Sequence, residues 1–409
     1  MRKSSIKSQN ISNSNRYELL KFEKQVSGCA VTKNSNMGYI RWGSRNDYPN
    51  LLLNLYANSP THAACIHFEV QSIVGGGIDY EQMQLDGSQL QPNYQQTWNQ
   101  VLRALATDYA LYGSYALQVI KNKDNKTFSF WPMPLDKVRW SEYDEDGQIT
   151  SYWISRDWSV TGKYPPFEID AFDMLEDWET IEKGQPYLYV YRPYNPLQTY
   201  YTSPAYIAAL KAIQSEIEYL NFDLKSTVNS FVPAGMLVLN EVETDEQRQA
   251  IIDNIQKMFT GSENSNSLMI SFRSNIEQNK PEFIPFQTSS DKFNLFDSAN
   301  VRNINRILAA HQIPNASLVG MPDMVGSGFA SEADKLEVAY NLYNQLVGNY
   351  NRDCVINTLN AALKMNGIDT EIILKPISFL NDDKQVKTDV PEAEQQNNVE
   401  EQKTGRKEE

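Results

Sequence analysis

The sequence predicts an α+β protein: a sheet-containing lobe comes first, and long helices bracketing a small strand-helix-strand module follow it. Three observations carry this reading. Alternating apolar runs at Tyr115 to Lys121 and Thr127 to Trp131 flank Asn122-Lys123-Asp124-Asn125-Lys126, the pattern of a β-hairpin. All seven tryptophans lie between Trp42 and Trp178, and the segment RPYNPLQTYYTSP that follows them marks a boundary near residues 195–202. Beyond it, apolar residues recur at spacings of three and four, the period of helices.

Within the first lobe, Ser59-Pro60 starts a helix through His62, Cys65, Ile66 and Val70 that ends at Gly75-Gly76-Gly77. A second helix covers roughly residues 96–111, with Val101, Leu102, Leu105 and Tyr109 toward a core. The period then changes to two. The hairpin, with further strand-like runs at Ile149 to Arg156 and Tyr187 to Tyr191, predicts an antiparallel sheet.

After the boundary, Ser203 as a side-chain cap and Pro204 at the first helical position open a long helix. It carries Leu210, Ile213, Ile217, Leu220 and Leu224 as a narrow apolar seam, and Lys211, Glu218 and Lys225 recur one heptad apart on another face. Such a helix suits packing beside further copies of itself. The middle module opens at Val232-Pro233-Ala234-Gly235 and continues as a strand through Met236 to Leu239. A helix capped by Thr244 with Gln247 and two strands, Ser267 to Phe272 and Glu282 to Phe286, complete a β-α-β-β unit. Its core is thin for about 55 residues, which makes it dependent on neighbouring subunits.

Asp297 or Ser298 caps the next helix, with Val301, Ile304, Ile307 and Leu308 as its apolar face and Pro314 as its end. Arg302 and Arg306 share a face of it. A loop rich in glycine and methionine, NASLVGMPDMVGSGF, leads to Ser331 and Asp334. These start a helix with Leu336, Tyr340, Tyr343, Val347, Tyr350 and Cys354 in one seam, reaching Gly367 and spanning roughly 50 Å. From Asn381 the chain turns acidic and polar, as a disordered tail does.

Composition bounds the function. A chain of 409 residues, 41% hydrophobic and 11% aromatic, supports two or three lobes with real cores. Its polar start and the lack of a long apolar run point away from secretion and from membrane spanning. Cys29, Cys65 and Cys354 are far apart, which suggests reduced thiols. The net charge of −14 argues against gripping DNA through neutralised phosphates, although not against letting DNA pass.

The ordered blocks SPAYIAALKAIQSEIEYL, NSFVPAGMLVL, TDEQRQAIIDNIQKMFTGSENSNSLMI, FIPFQTSSDKFNLFDSANVRNINRILAAHQIPNASLVG and SGFASEADKLEVAYNLYNQLVGNYNRDCVINTLNAAL carry a resemblance. In that order and spacing, over roughly Asp47 to Leu363, the chain resembles the smaller, widespread portal proteins of tailed double-stranded DNA bacteriophages. The resemblance implies a portal fold and a ring, usually of twelve subunits, at one capsid vertex. There the terminase large subunit drives double-stranded DNA through, and the head-tail connector later docks. It also implies contacts with the major capsid protein and the scaffold protein, a place in the virion, and assembly in the host cytoplasm.

On that resemblance, residues 1–20 form an N-terminal arm, 21–202 the α/β wing, 203–231 the first stem helix, 232–288 the clip and 295–313 the second stem helix. Residues 314–330 form the tunnel loop, 331–367 the long helix into wing and crown, and 368–409 an acidic, largely disordered tail. The sequence lacks the long helical barrel of larger relatives after Gly367. Asp245, Glu246, Arg248, Gln249 and Gln256 are then the docking residues of the clip. Met321, Met324, Val325, Gly326, Gly328 and Phe329 form a collar in the tunnel loop, where glycines allow rearrangement and apolar side chains give bulk. Arg302 and Arg306 either touch passing DNA or form ion pairs between neighbouring stem helices.

No catalytic residue, metal or cofactor is expected. His62 and His67 are five apart on one helix and His311 is distant in sequence, so each is read as an ordinary core or surface residue. Glu142, Asp144, Glu145 and Asp146 precede Gly147 in a turn, where solvated acids are normal. Gly75-Gly76-Gly77 lacks the Lys-Ser or Lys-Thr of a phosphate loop. The competing functions are an enzyme built on the acidic turn and the tyrosine-rich lobe, and a scaffold or minor head protein that forms no channel.

Overall fold

A computed structural model describes residues 38–124, 126–174, 178, 181–228, 235–240, 244, 246–247, 249–251, 268–273, 282–285, 290–321 and 333–377. Three helices come first. The first two, α1 (Tyr48–Asn58) and α2 (Pro60–Val74), are separated by Ser59, whose side chain accepts the His62 amide at 3.2 Å and caps α2. The third, α3 (Trp98–Tyr112), starts with a reciprocal cap between Thr97 and Gln100 and ends at Gly113 in the left-handed conformation, φ +69°. An added Cβ there would lie 2.6 Å from the Ser203 carbonyl oxygen, so glycine is required both by its torsion and by the chain crossing above it.

The hairpin forms as expected from β1 (Tyr115–Lys121) and β2 (Phe128–Met133). With β3 (Val138–Trp140), β4 (Ser151–Ile154), β5 (Phe167–Ala171) and β6 (Pro186–Tyr191) it makes a six-stranded sheet of order β2-β1-β6-β5-β4-β3. The sheet is mixed rather than purely antiparallel, because β5 pairs parallel with β6. Residues 172–185 give the chain the length to return to the starting end of the sheet, as a parallel pair requires. Both sheet edges are covered. Asn366 mimics a strand against Phe128, donating to its carbonyl at 3.1 Å and accepting from its amide at 2.7 Å, while the Ile40 amide bonds the Trp140 carbonyl at 2.8 Å.

The core lies between this sheet and the helices. Trp42 stacks on Tyr201 with ring centroids 4.4 Å apart, and Tyr201 donates to the Ile40 carbonyl. Arg139 is buried there against Trp158, with Asn46 and backbone carbonyls as its acceptors. Burial lowers its pKa to about 10, opposed by the nearby Tyr201 and Asp136. Cys65 and Cys354 are both buried free thiols.

The first long helix departs from expectation at its start. Ser203 accepts from the side chains of Asn195 and Gln198 and does not cap it, and residues Ala205–Ala209 form a 3₁₀ turn before α4 (Leu210–Val228). Pro204 is extended, with ψ 154°, so the tight turn after it is what buries Tyr206 and Ala209. The middle sheet, β7 (Gly235–Asn240), β8 (Leu268–Arg273) and β9 (Glu282–Pro285), has the order β8-β7-β9, with β7 parallel to β8 and antiparallel to β9.

The second long helix, α5 (Ser290–Ala310), starts well before Asp297 and Ser298. Phe293 and Phe296 extend its helical spacing upstream, which leaves those cap-forming residues in its interior. The last helix is not uninterrupted. It runs as α6 (Ala333–Tyr343), a π turn (Asn344–Gly348) and α7 (Asn349–Met365). At the π turn Gly348 lies so close to α2 that a Cβ would meet Ser72 Oγ at 2.8 Å. The turn shifts the helical phase, so Tyr343 is buried whereas Tyr350, expected in the same seam, is exposed.

Residues 368–377, the first part of the range expected to be a largely disordered tail, pack against the start of the lobe. Ile78 bridges Leu374, and the amides of Gly76 and Asp79 bond Lys375 and Ile373. Ile368, Ile372, Ile373 and Leu374 supply the apolar contacts that the acidic average of the whole tail conceals. Residues 1–20 and 378–409 lie outside the described residues.

Candidate functional site

The two long helices lie side by side. Asn303 of α5 donates to Ser215 of α4 at 2.9 Å, and Ile213, Ile307 and Leu308 join the main core beside them. Only the near half of α4 is covered. Leu210 and Ile213 are buried, whereas Leu220 and Leu224, further along the same seam, are 37% and 63% exposed, with Phe222 beside them at 46%. Burying apolar area stabilises by roughly 25 cal/mol per Å², so the single chain leaves this part of the seam's stabilisation unused. A second uncovered stripe, Val338, Leu342, Leu346 and Tyr350, runs along the last helix.

The near ends are held by a buried polar joint. Glu216 of α4 accepts hydrogen bonds from Ser59 and from Thr61, the latter at 2.5 Å. On the other side, His311 follows the end of α5; its Nδ1 lies 2.7 Å from Glu69 Oε1 and its Nε2 lies 3.0 Å from His62 Nδ1. His62, Glu69, Glu216 and His311 are all buried. Tyr206 packs against both imidazoles, with ring centroids 4.3 Å from His62 and 5.0 Å from His311, and donates to the Leu111 carbonyl. Burial is the main cause that brings the His62 pKa down to about 3, with His311 adding to it. Burial also pushes the Cys65 thiol up, helped by Glu69 and Glu216.

Sequence reasoning treated these histidines separately. They are 249 positions apart, and the one signal was that a polar residue, His62, falls on the buried face of a helix. His67 stands elsewhere, at 2.7 Å from the Tyr56 hydroxyl. Among the described residues no cluster of His, Cys, Asp and Glu has the arrangement of a metal site, and no helix is long and apolar enough to cross a membrane.

Arg302 and Arg306 are both exposed on α5, and neither forms an ion pair among the described residues. Glu246 and Gln249 are exposed on a short helical segment, and Thr244 accepts the Gln247 amide at 3.3 Å as its cap. Asp245, Arg248 and Gln256 lie outside the described residues. Met321 is half-buried, following a 3₁₀ turn (Ala316–Val319); Met324, Val325, Gly326, Gly328 and Phe329 lie outside the described residues. The acidic turn is a local structure, with Asp144 accepting the amides of Asp146 and Gln148.

The sequence matches no protein-family model and no curated protein. The fold does have relatives. The chain is similar to one in the virion of the native gene transfer agent (GTA) particle, with TM-score 0.52, 15% identity, and 88% of this chain and 89% of that chain covered. It is also similar to a chain in the neck of the native GTA particle computed with C12 symmetry, at TM-score 0.54 and 15% identity, covering 86% and 89%. A chain in the neck of the empty particle computed with C6 symmetry gives 0.54 and 17%, covering 83% and 87%. These likenesses show a shared α+β fold over nearly the full length of both chains.

Proposed function

We propose that this chain is a portal subunit: a ring-forming protein of the virion, set at a unique capsid vertex, through which double-stranded DNA enters during packaging and leaves during ejection. The observation that carries the reading is the likeness, over 86% of this chain, to a chain from a particle neck computed with C12 symmetry. The exposed seam positions Leu220 and Leu224 support it, since a ring supplies each helix with a neighbour. In this reading the six-stranded lobe is the wing, α4 and α5 are the stem, the three-stranded module is the clip and the last helix runs back into wing and crown.

The net charge of −14 suits a wall that DNA slides past, because strong phosphate contacts would brake it. Arg302 and Arg306, exposed on α5, are placed either to touch DNA or to pair with a neighbouring stem. The clip presents Glu246 and Gln249 to a docking partner, the terminase large subunit during packaging and the connector afterwards. In this reading the wing meets the major capsid protein and the scaffold protein. The chain acts as a passive conduit; the energy for DNA movement comes from the motor.

The test is made on particles. Heads assembled without this chain should remain empty, and a tag on its C-terminus should be found at one vertex of each normal head. Filled heads lacking the chain, or a tag spread over all vertices, would overturn the proposal.

A further inference from the structure

The buried joint between α2, α4 and α5 contains more titratable chemistry than packing needs. Its hydrogen positions follow from its partners. Glu69, as a carboxylate, accepts from His311 Nδ1–H, so the 3.0 Å contact between His311 Nε2 and His62 Nδ1 has room for one hydrogen. His62 Nε2 is buried and has no hydrogen-bond partner among the described residues. A bare lone pair is tolerated there better than an N–H, which places the shared hydrogen on His62 Nδ1 and leaves Nε2 unprotonated.

We propose that the Glu69–His311–His62 chain is a proton-counted latch holding the end of α5 on α2, closed with one hydrogen per contact and opened when a further proton enters the histidine pair. That proton, taken from solvent, has two places to go. On His62 Nε2 it creates an orphan N–H and a buried cation against Tyr206 and, from α1, Tyr56. On His311 Nε2 it sets two N–H groups against each other.

The surrounding groups do not offset the new charge directly. Cys65 is a neutral buried thiol; Glu216 is already engaged by Ser59 and Thr61; Glu69 faces Tyr343 of α6 and reaches His62 only through His311. Because His62 and Glu69 belong to α2 and His311 follows α5, opening the latch frees the end of α5 from α2 while Glu216 still ties α4 to Ser59 and Thr61. The latch goes beyond the portal reading, and its test requires no ring.

The test is hydrogen exchange of the full-length protein at pH 7.5 and pH 5.0, corrected for intrinsic rates. Wild-type protection should fall at least about tenfold in residues 60–74 and 300–313, and much less in β1 and β2. His62→Asn, which keeps a donor toward His311 and cannot be charged, should abolish that local loss; His62→Phe serves if the first variant fails to fold. A wild-type profile that is flat or changes uniformly would overturn the latch, as would the same local loss in either variant.

Discussion

Ser59 caps the start of α2 and at the same time donates its hydroxyl to Glu216 of α4, so one side chain begins one helix and anchors another. The carboxylate is buried, with Thr61 as its other donor. Ser59→Ala should therefore destabilise by about 2 to 3 kcal/mol, more than the ~1 kcal/mol of a cap alone. A double-mutant cycle with Glu216→Gln, followed by urea unfolding at fixed protein concentration, should give a coupling of about 1 kcal/mol or more. Additive effects would show that the two residues do not act together.

The pH dependence of stability has a definite sign. His62 has a pKa of about 3 in the folded chain against 6.5 ordinarily, so the unfolded state binds the proton first. Its contribution is complete above pH 6.5 and is lost as pH falls toward 3, by up to ~1.4 kcal/mol per unit. Asp108 acts oppositely, since burial raises its carboxyl to about 7 and favours the folded state as pH falls below that. The observable is therefore the difference between wild type and His62→Asn, which should shrink or reverse from pH 7 to pH 5. A difference constant with pH contradicts the assignment.

Gly113 should not tolerate a side chain. Its φ of +69° and the 2.6 Å approach of the Ser203 carbonyl combine torsional strain with a backbone clash. Gly113→Ala is expected to cost about 2 kcal/mol or more, whereas Gly147→Ala, with open space around it, carries the torsional penalty alone. Thermal melts of the two variants check this; equal losses would remove the clash from the explanation.

What could be read in advance follows from the range of each signal. The cap at Ser59, the hairpin and the apolar seam of α4 depend on near neighbours in sequence, and all are present in the structure. The parallel pairing of β5 with β6, the π turn beside Ser72 and the packing of residues 368–377 depend on contacts between distant segments. The joint was hidden for the same reason. His62 and His311 gain meaning only when the ends of two helices meet, and no spacing rule joins positions so far apart.

The open seam of α4 makes a separable prediction. Leu220→Glu with Leu224→Glu changes residues that are 37% and 63% exposed in the single chain, so the fold should stand, with a change of about 0.5 to 1 kcal/mol per site. Assembly should fail, because each neighbour would then have to bury a carboxylate without a partner. Sedimentation shows whether the double variant is a folded monomer, as expected, or assembles as wild type does.

The central claim is that copies of this chain close into a ring around a channel. Native mass measurement of the purified wild-type protein, with electron microscopy of the same sample, tests it directly. A closed ring of about a dozen copies with an axial opening that admits duplex DNA is expected, in keeping with the C12 symmetry of the particle neck that contains the similar chain. A species that stays monomeric or dimeric at every concentration, or a closed assembly without an axial opening, would contradict it.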